Sequence, residues 1–336
     1  MKRLLYSAAL FLAVLAQEEA EPEPEPETVA GNNSTILKIA SDVMTIEHTP
    51  GRIAIEDFYD GPAKIVEGGI AALLSDPTVA LGTNAEIPSL KSYGSNRDLR
   101  IIYTMTETYY RIVANRNAGI ETLEDLKGKR IGTIPTTTAA YFVEKYLGTV
   151  GLEPDDYELA YGGTCLRAPC GRNTLPMQLA NGTIDAIALW EPTPQFAVNE
   201  LGDDAIVFQD RSVYREVVNL QSTAPKLADP ETRALIVEFV RSLNAAQRVF
   251  AEEPTEDLYQ RVADATGSQA DVIEQVWGIH GWRGTLVGDI YDVLKTEDQW
   301  VAQLQGRDKL TEEEIEALVD TSILEEALGL SLGETR

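Results

Sequence analysis

Cysteine, histidine and basic residues are all scarce in this chain. Only two cysteines and two histidines occur among 336 residues, which excludes a cysteine-rich scaffold and leaves few ligands for a metal site. Lysine and arginine number 28 against 54 aspartates and glutamates, which gives a formal charge of −26. Because such a surface repels phosphate backbones and anionic lipids, we expect no nucleic-acid partner and no binding to an acidic membrane.

The sequence also lacks the short motifs that carry common catalytic chemistry. It contains no HExxH or HxxxH pair, no GxSxG turn, no P-loop and no GxGxxG after a strand. We therefore predict a protein that is not an enzyme and that needs neither a metal nor a cofactor. After residue 16 no apolar run approaches the roughly 20 residues that span a bilayer, so stable membrane insertion is not expected.

The N-terminus has the three parts of a secretory signal peptide. Two basic residues precede an apolar run, Leu4 to Leu15, which is followed by the small residue Ala16. A membrane anchor is the alternative, but the run is too short to cross a bilayer. We predict a signal peptide over residues 1–16 and a secreted product, extracellular or periplasmic. Residues 17–34 contain alternating glutamate and proline, which predicts an extended acidic linker.

The two cysteines, Cys165 and Cys170, lie in one short segment with four residues between them. In the oxidising compartment to which a signal peptide leads, this spacing predicts an intrachain disulfide. Sequons at Asn32, Asn33 and Asn181 would matter only in a host that glycosylates proteins.

Short apolar runs alternate with helical patterns through the first two thirds of the chain. Strands are predicted near residues 36–40, 79–82, 100–103, 110–114, 129–133, 185–190 and 205–208. Helices are predicted over residues 138–147 and 176–181, and from Asp229 onward the pattern is almost entirely helical. This alternation predicts an α/β protein with parallel sheets covered on both faces, and the length suits two domains.

Polar residues and a tryptophan lie at the ends of three of the predicted strands. In chain order they are Asn84, Glu86, Thr136, Thr137, Thr138, Trp190 and Glu191. Ligands of open α/β sheets bind outside the carboxyl ends of the strands, so these residues predict a ligand site. The three threonines also open a helix, whose free N–H groups favour an anion or a polar ligand atom. Ordinary helix capping by the threonines and a core position for Trp190 are the alternatives.

Three segments resemble a known family. Residues 119–159 read GIETLEDLKGKRIGTIPTTTAAYFVEKYLGTVGLEPDDYEL, residues 177–186 read MQLANGTIDA, and residues 190–192 read WEP. These motifs resemble type II periplasmic substrate-binding proteins, in particular the group that binds aliphatic sulfonates, nitrate, taurine or thiamine pyrimidines. The resemblance extends from about residue 36 to residue 328, nearly all of the chain that is predicted to fold.

The resemblance implies a two-domain periplasmic-binding-protein type II fold. Such a fold has Rossmann-like parallel sheets, two crossover hinge strands and, in this chain, a helical C-terminal part. Carried over, domain I comprises residues 35–112 and 207–330, and domain II comprises residues 113–206. The first crossing falls near Tyr109, which we also expect to contact the ligand. In this family the loops after the strands hold the ligand in the cleft between the domains.

The positions that match the ligand-contacting loops of the family are Asp42, Met44, Asn84, Glu86, Thr136, Thr137, Thr138, Trp190 and Glu191. One departure from the family is a longer segment over residues 162–176, which carries both cysteines together with Arg167 and Arg172. A disulfide-held loop beside the cleft would let Arg167 grip an anionic ligand. A surface loop whose arginines pair with acidic neighbours is the alternative.

The resemblance implies a monomeric, secreted solute-binding protein that closes two lobes around a small polar or anionic organic molecule, sulfonate-like or pyrimidine-like. In a bacterium its partner would be an ABC permease. Two alternatives stay open: an enzyme like the thiamine-pyrimidine synthases, and a secreted module for protein interaction or sequestration. The synthases have a Thr-Pro-Asn-Thr-Asn-His run and a cysteine-rich segment, whereas here Thr49 and Pro50 are followed by Gly51 and Arg52.

Overall fold

The computed structural model describes residues 35–41 and 45–329. The predicted signal peptide, the acidic linker, Asp42, Met44 and the sequons at Asn32 and Asn33 lie outside the described residues. The described chain forms two separate sheets flanked by helices, which confirms the predicted α/β fold class.

Within the described residues, eleven strands form the two sheets. The strands are β1 (Leu37–Ala40), β2 (Ala63–Val66), β3 (Leu81–Ala85), β4 (Leu99–Thr108), β5 (Ile112–Asn115), β6 (Arg130–Thr133), β7 (Glu158–Tyr161), β8 (Ala186–Ala188), β9 (Ala205–Phe208), β10 (Glu216–Thr223) and β11 (His280–Gly281). The first sheet has the order β11-β4-β10-β3-β1-β2, and the second sheet has the order β7-β6-β8-β5-β9.

Each sheet mixes parallel and antiparallel pairs, whereas the strand–helix alternation predicted parallel sheets. In the first sheet β1 pairs in parallel with β2 and β3, while β10 runs antiparallel between β3 and β4. In the second sheet β6 is parallel to β7 and β8, while β5 is antiparallel to β8 and β9. The antiparallel strands arise because the chain crosses between the sheets twice, through residues 109–111 and 209–215. The division into domains I and II remains our interpretation of these two crossings.

Helices cover the sheets and make up most of the C-terminal third, as the sequence pattern predicted. The helices are α1 (Thr49–Asp57), α2 (Gly69–Ser75), α3 (Glu86–Tyr93), α4 (Thr138–Gly148), α5 (Leu175–Ala180), α6 (Thr193–Leu201), α7 (Ala224–Ala228), α8 (Pro230–Ala251), α9 (Glu256–Thr266), α10 (Ala270–Val276), α11 (Ile290–Gln305), α12 (Glu312–Leu318) and α13 (Ser322–Leu328). Across residues 35–41 and 45–329, no helix combines the length and apolarity needed to cross a bilayer.

The longest helix, α8, shows why the C-terminal part folds as it does. Asp229 caps it by accepting a hydrogen bond from the backbone N–H of Thr232 at 2.8 Å, and Pro230 occupies the first turn, where its missing N–H is not needed. Apolar residues at helical spacing form one buried face, namely Ile236, Phe239, Val240 and Leu243. These residues belong to a core that also contains residues of α1 and the first sheet.

Buried aromatic residues hold the two crossings in place. Tyr110, in the first crossing, and Tyr214, in the second, both pack against Phe142 of α4. The ring centroids lie 5.6 Å apart for Tyr110 and Phe142 and 5.7 Å apart for Tyr110 and Tyr214, in edge-to-face geometry. Such pairs contribute about 0.5–1.5 kcal/mol each beyond the area they bury. The cluster therefore fixes both crossings against the helix that the three threonines open.

Candidate functional site

A cavity of about 240 Å³ lies where strand ends of both sheets meet. The first sheet contributes the 3-10 turn after β1, the end of β3, the start of α3 and the start of β10. The second sheet contributes the start of α4 and Trp190, which follows β8. The lining residues are Thr45, Glu47, His48, Asn84, Ala85, Pro88, Thr137, Thr138, Trp190, Glu216 and Val218. Of the predicted ligand contacts, the cavity brings together Asn84, Thr137, Thr138 and Trp190.

The three threonines at the start of α4 have three different environments. Thr136 is exposed, has a positive φ of 62° and accepts a hydrogen bond at its carbonyl from Lys91 Nζ. A β-branched residue rarely adopts this left-handed conformation, so the turn stores backbone strain next to the cavity. The Thr137 hydroxyl donates to the carbonyl of Ile134 at 2.7 Å instead of capping the helix. The Thr138 hydroxyl donates to Glu216 Oε1 at 2.8 Å.

Asn84 and Glu86, near the end of β3, lie in different environments. Asn84 is partly exposed and lines the cavity. Glu86 is fully buried, and its carboxylate accepts hydrogen bonds from the Tyr214 hydroxyl at 2.5 Å and from the backbone N–H of Val217 at 2.7 Å. The carboxylate of Glu86 thus connects α3 to the second crossing and is not among the described groups that line the cavity.

Trp190 and Glu191 also take different roles after β8. Trp190 is partly exposed and lines the cavity, where its ring offers a flat apolar face. The side chain of Glu191 is only 3% exposed and accepts a hydrogen bond from Arg111 Nε at 2.7 Å. Arg111 also donates to the side chain of Gln195 at 2.9 Å. Glu191 therefore joins α6 to the first crossing through a buried ion pair.

Tyr109 and Arg167 contact protein groups away from the cavity. The guanidinium of Arg211 lies 4.8 Å from the centre of the Tyr109 ring. Arg167 donates to the backbone carbonyl of Ser268 at 2.8 Å, and the neighbouring Ala168 N–H donates to the side chain of Gln269 at 3.0 Å. The loop that carries Arg167 is thus tied to the turn between α9 and α10.

Cys165 and Cys170 form the predicted disulfide, with their Cα atoms 5.5 Å apart. Cys165 is buried and packs with Phe196 and Val272, which lie on α6 and α10. Arg172, at the other end of this loop, lines a shallow surface depression instead of the cavity. The disulfide-held loop therefore bridges the second sheet's helix α6 and the helical C-terminal part.

Three titratable residues of the cavity, Glu47, His48 and Glu216, are absent from the predicted ligand contacts. Glu47 and His48 lie in the 3-10 turn Ile46–His48, which directly follows the segment that contains Asp42 and Met44. In the sequence, only the position of Glu47 and His48 after a predicted strand indicates that they could line a ligand site. Glu216 begins β10, a strand that the apolar pattern did not reveal.

His48 is held in place by hydroxyl groups of the first sheet. Its Nδ1 atom lies 2.9 Å from Thr83 Oγ1 and 3.1 Å from Ser41 Oγ. A second cavity, of about 260 Å³, adjoins the first and shares Thr45 and His48 with it. Its other lining residues are Ser41, Thr49, Arg52, Ile65 and Ala265.

Glu47 and His280 form a buried acid–base pair beside the cavity. Glu47 Oε1 lies 3.8 Å from His280 Nε2, a distance that allows an ionic contact but is too long for a hydrogen bond. Burial by itself would raise the pKa of Glu47, but the proximity of His280 outweighs it and the pKa falls below the usual value. Within the part of the chain that the structure describes, no group of three histidine, cysteine or acidic residues is placed to hold a metal ion.

Three further buried carboxyl groups influence one another. Burial raises the pKa of Glu86 to about 7. Burial, reinforced by the negative charge of Glu86, raises the pKa of Glu297 well above its usual value. Burial and the charges of Glu47 and Glu86 likewise raise the pKa of Glu216. These carboxyls therefore hold protons close to neutral pH, and the protonation of Glu86 and that of Glu297 depend on each other because the charge of one raises the pKa of the other.

We expect the free energy of unfolding to fall as the pH rises from about 5 to about 8. A carboxyl whose pKa is raised by folding binds more protons in the folded state, so its stabilising proton is lost as the pH rises from the unfolded value of 4.5 through the folded value, about 7 for Glu86. Each such proton contributes a slope of up to about 1.4 kcal/mol per pH unit. The carboxyls with lowered pKa values, such as Asp185, affect stability only below this window.

The variant Glu297→Gln should flatten this pH dependence. The amide has nearly the same size but does not ionise, so the proton that Glu297 binds no longer contributes to the pH dependence of stability. Urea unfolding of the wild-type and variant proteins across this pH range measures the two slopes. Equal slopes would show that Glu297 does not take part in the proton uptake.

The architecture and the cavity together define a class of protein. Two α/β sheets joined by two crossings, with a polar cavity between their strand ends, are the arrangement of type II periplasmic binding proteins. The chain belongs to the NMT1/THI5-like family, whose sequence pattern matches residues 67–257, more than half of its length. This match confirms the resemblance seen in the sequence motifs. No curated protein sequence matches the chain significantly.

Solved structures share this fold at low sequence identity. The alkanesulfonate-binding protein SsuA of Xanthomonas axonopodis pv. citri, bound to MOPS, has a TM-score of 0.65 at 18% identity, over 85% of this chain and 98% of that one. The periplasmic nitrate-binding protein NrtA of Synechocystis PCC 6803 has a TM-score of 0.64 at 12% identity, over 89% and 90%. A DszB variant in complex with biphenyl-2-sulfinic acid has a TM-score of 0.63 at 15% identity, over 88% and 99%. At these identities the similarity establishes the fold alone.

Proposed function

We propose that this protein is a secreted solute-binding protein whose two domains close around a small polar organic molecule. It captures the molecule without transforming it, and in a bacterial host it delivers the molecule to an ABC permease. The signal-peptide pattern of residues 1–16 supports secretion. The fold supports capture, because SsuA and NrtA, which share it, are described as binding proteins.

The proposal rests on one observation: residues from both sheets line the same cavity. Asn84 and Glu216 reach it from the first sheet, while Thr137 and Trp190 reach it from the second. Domains that are joined by a few connecting residues can close around a ligand by a hinge motion. A ligand in this cavity would then touch both domains and favour the closed state over the open one.

Trp190→Ala should weaken ligand binding by at least tenfold, which corresponds to about 1.4 kcal/mol, with little change in the ligand-free melting temperature. Trp190 lines the cavity and is partly exposed, so its removal costs the bound state more than the free one. The ligand is first identified as the molecule that co-purifies in native mass spectrometry, and its affinity is then measured by calorimetry. Tyr161→Ala, at a side chain 72% exposed outside the cavity, is the matched control. Unchanged affinity together with a lowered melting temperature would make Trp190 a core residue.

Closure and the absence of turnover are tested with the same co-purified molecule. We expect it to shrink the X-ray scattering radius of the protein and to be recovered unaltered after prolonged incubation. Chemical conversion of the molecule would favour a synthase-like enzyme instead. A protein partner that is captured while no small molecule binds would favour an interaction module.

A further inference from the structure

The wall of the cavity is rich in acidic groups. Glu47 and Glu216 both line it, and they are only 2% and 6% exposed. Among the described residues that line this cavity there is no lysine and no arginine. The arginine that lines the adjoining cavity, Arg52, is paired with Glu56 at 2.7 Å. A sulfonate or carboxylate in the first cavity would therefore meet the carboxylate of Glu47, whose described ionic partner is His280 at 3.8 Å, with no lysine or arginine in the lining to offset its own charge.

The carboxylate of Glu47 has no hydrogen-bond donor within the described protein. Neither Oε1 nor Oε2 of Glu47 has a hydrogen-bond partner. His280 cannot rotate to supply one without losing the contact of its Nδ1 atom with the carbonyl of Val276 at 3.1 Å. A buried carboxylate that lacks donors is costly, so donors from a ligand would be stabilising there.

We infer that the cavity binds a small organic cation with N–H donors, of the amidinium or guanidinium kind, whose nitrogen atoms donate to Glu47. This inference rests on the proposed function and names the ligand class of the same site. It excludes the sulfonate-like ligands of the earlier expectation and favours ligands that carry positive charge at their buried end.

The size and shape of the cavity agree with such a ligand. Its volume of about 240 Å³ is below the roughly 300–1,000 Å³ that drug-sized ligands occupy, so a single ring with one substituent is the appropriate scale. Trp190 lines the same cavity, and a cation over an aromatic face is attracted by the ring quadrupole. Glu47 and Trp190 thus provide charge, hydrogen-bond acceptors and a flat surface together.

Benzamidine and benzenesulfonate test the inference, because they share one ring and differ in the sign of the charged group. With the unaltered protein we expect benzamidine to bind measurably in calorimetry and to raise the melting temperature, and benzenesulfonate to bind at least tenfold more weakly. Equal or tighter binding of benzenesulfonate overturns the inference, and so does binding of neither probe.

A variant then assigns the contact. Glu47→Gln should weaken benzamidine binding at least tenfold, whereas Glu297→Gln, the same change at a buried carboxyl outside the cavity lining, should leave it unchanged. Equal affinity of Glu47→Gln and wild type would remove Glu47 from the site. If Glu47→Gln fails to fold, the comparison of the two probes on the unaltered protein still decides. A co-purified acid that closes the domains would overturn the inference and leave the proposed solute-binding function standing.

Discussion

Replacing Arg111 by leucine should lower the free energy of unfolding by about 3–5 kcal/mol. The reason is the carboxylate of Glu191, which is 3% exposed and has Arg111 as its counter-ion at 2.7 Å. When the guanidinium is removed, the buried carboxylate of Glu191 keeps one hydrogen bond among the described residues, from the backbone N–H of Gln195 at 3.2 Å. Losing a single partner of a buried pair is far more costly than losing the pair, because the remaining charge stays desolvated.

Two further variants make this test specific. The double variant Arg111→Leu with Glu191→Leu should recover much of the lost stability, since no charge is then left buried. Lys127→Leu breaks an ion pair with Asp156, but Lys127 is 68% exposed, so its loss should change stability very little. Urea unfolding curves measure all three. If Arg111→Leu loses no more stability than Lys127→Leu, the carboxylate of Glu191 is not left desolvated when Arg111 is removed.

Gly69→Ala should destabilise the protein by about 2–4 kcal/mol, from backbone strain and a steric clash together. Gly69 has a φ of +50°, and a Cβ atom added there would lie 2.7 Å from the carbonyl oxygen of Thr83 and 3.4 Å from the amide of Asn84. The carbonyl belongs to β3, so relief of the clash must move the strand end that presents Asn84 to the cavity. We therefore expect ligand affinity to fall as well.

Gly182→Ala is the matched control for Gly69→Ala. Gly182 also has a positive φ, of +75°, but an added Cβ atom would meet nothing within 4 Å. Only the conformational cost of about 1–2 kcal/mol should remain, and ligand affinity should not change. Thermal or urea unfolding with parallel calorimetry separates the two effects. Equal losses of stability in both variants would show that the end of β3 can shift to relieve the clash at no measurable energetic cost.

Much of the fold could be predicted because its strands carry apolar runs and its helices carry apolar stripes. The strand β10 shows why the rest could not. It contains Asn219 and Gln221, which are fully buried, so no apolar run marks it. Asn219 accepts a hydrogen bond from Thr104 at 3.0 Å, and Gln221 donates to Ser89 at 3.0 Å. These partners lie more than a hundred residues away in the chain, and only the folded structure brings them together.

The candidate site was predictable to the extent that it lies at strand ends. Thr137 and Trp190 were predicted to lie near each other because each follows a strand of a doubly covered sheet, and both line the cavity. The ligand contacts themselves stay predictions. The pairing of Glu191 with Arg111 was not visible in the sequence, because 80 residues separate the two partners. Glu216 was not predicted because it begins β10, a strand that no apolar run marks.

The hydrogen bond from Thr138 to Glu216 connects α4 to β10 across the edge of the cavity. The opening motion that we propose would break this bond if it separates α4 from β10, and Tyr110 would then remain as the hydroxyl donor to Glu216. We therefore expect ligand association to be slower than diffusion allows, because the ligand would enter only while this bond is open. Both members of this pair also line the cavity, so the side chains that would contact the ligand also control the rate at which it is exchanged.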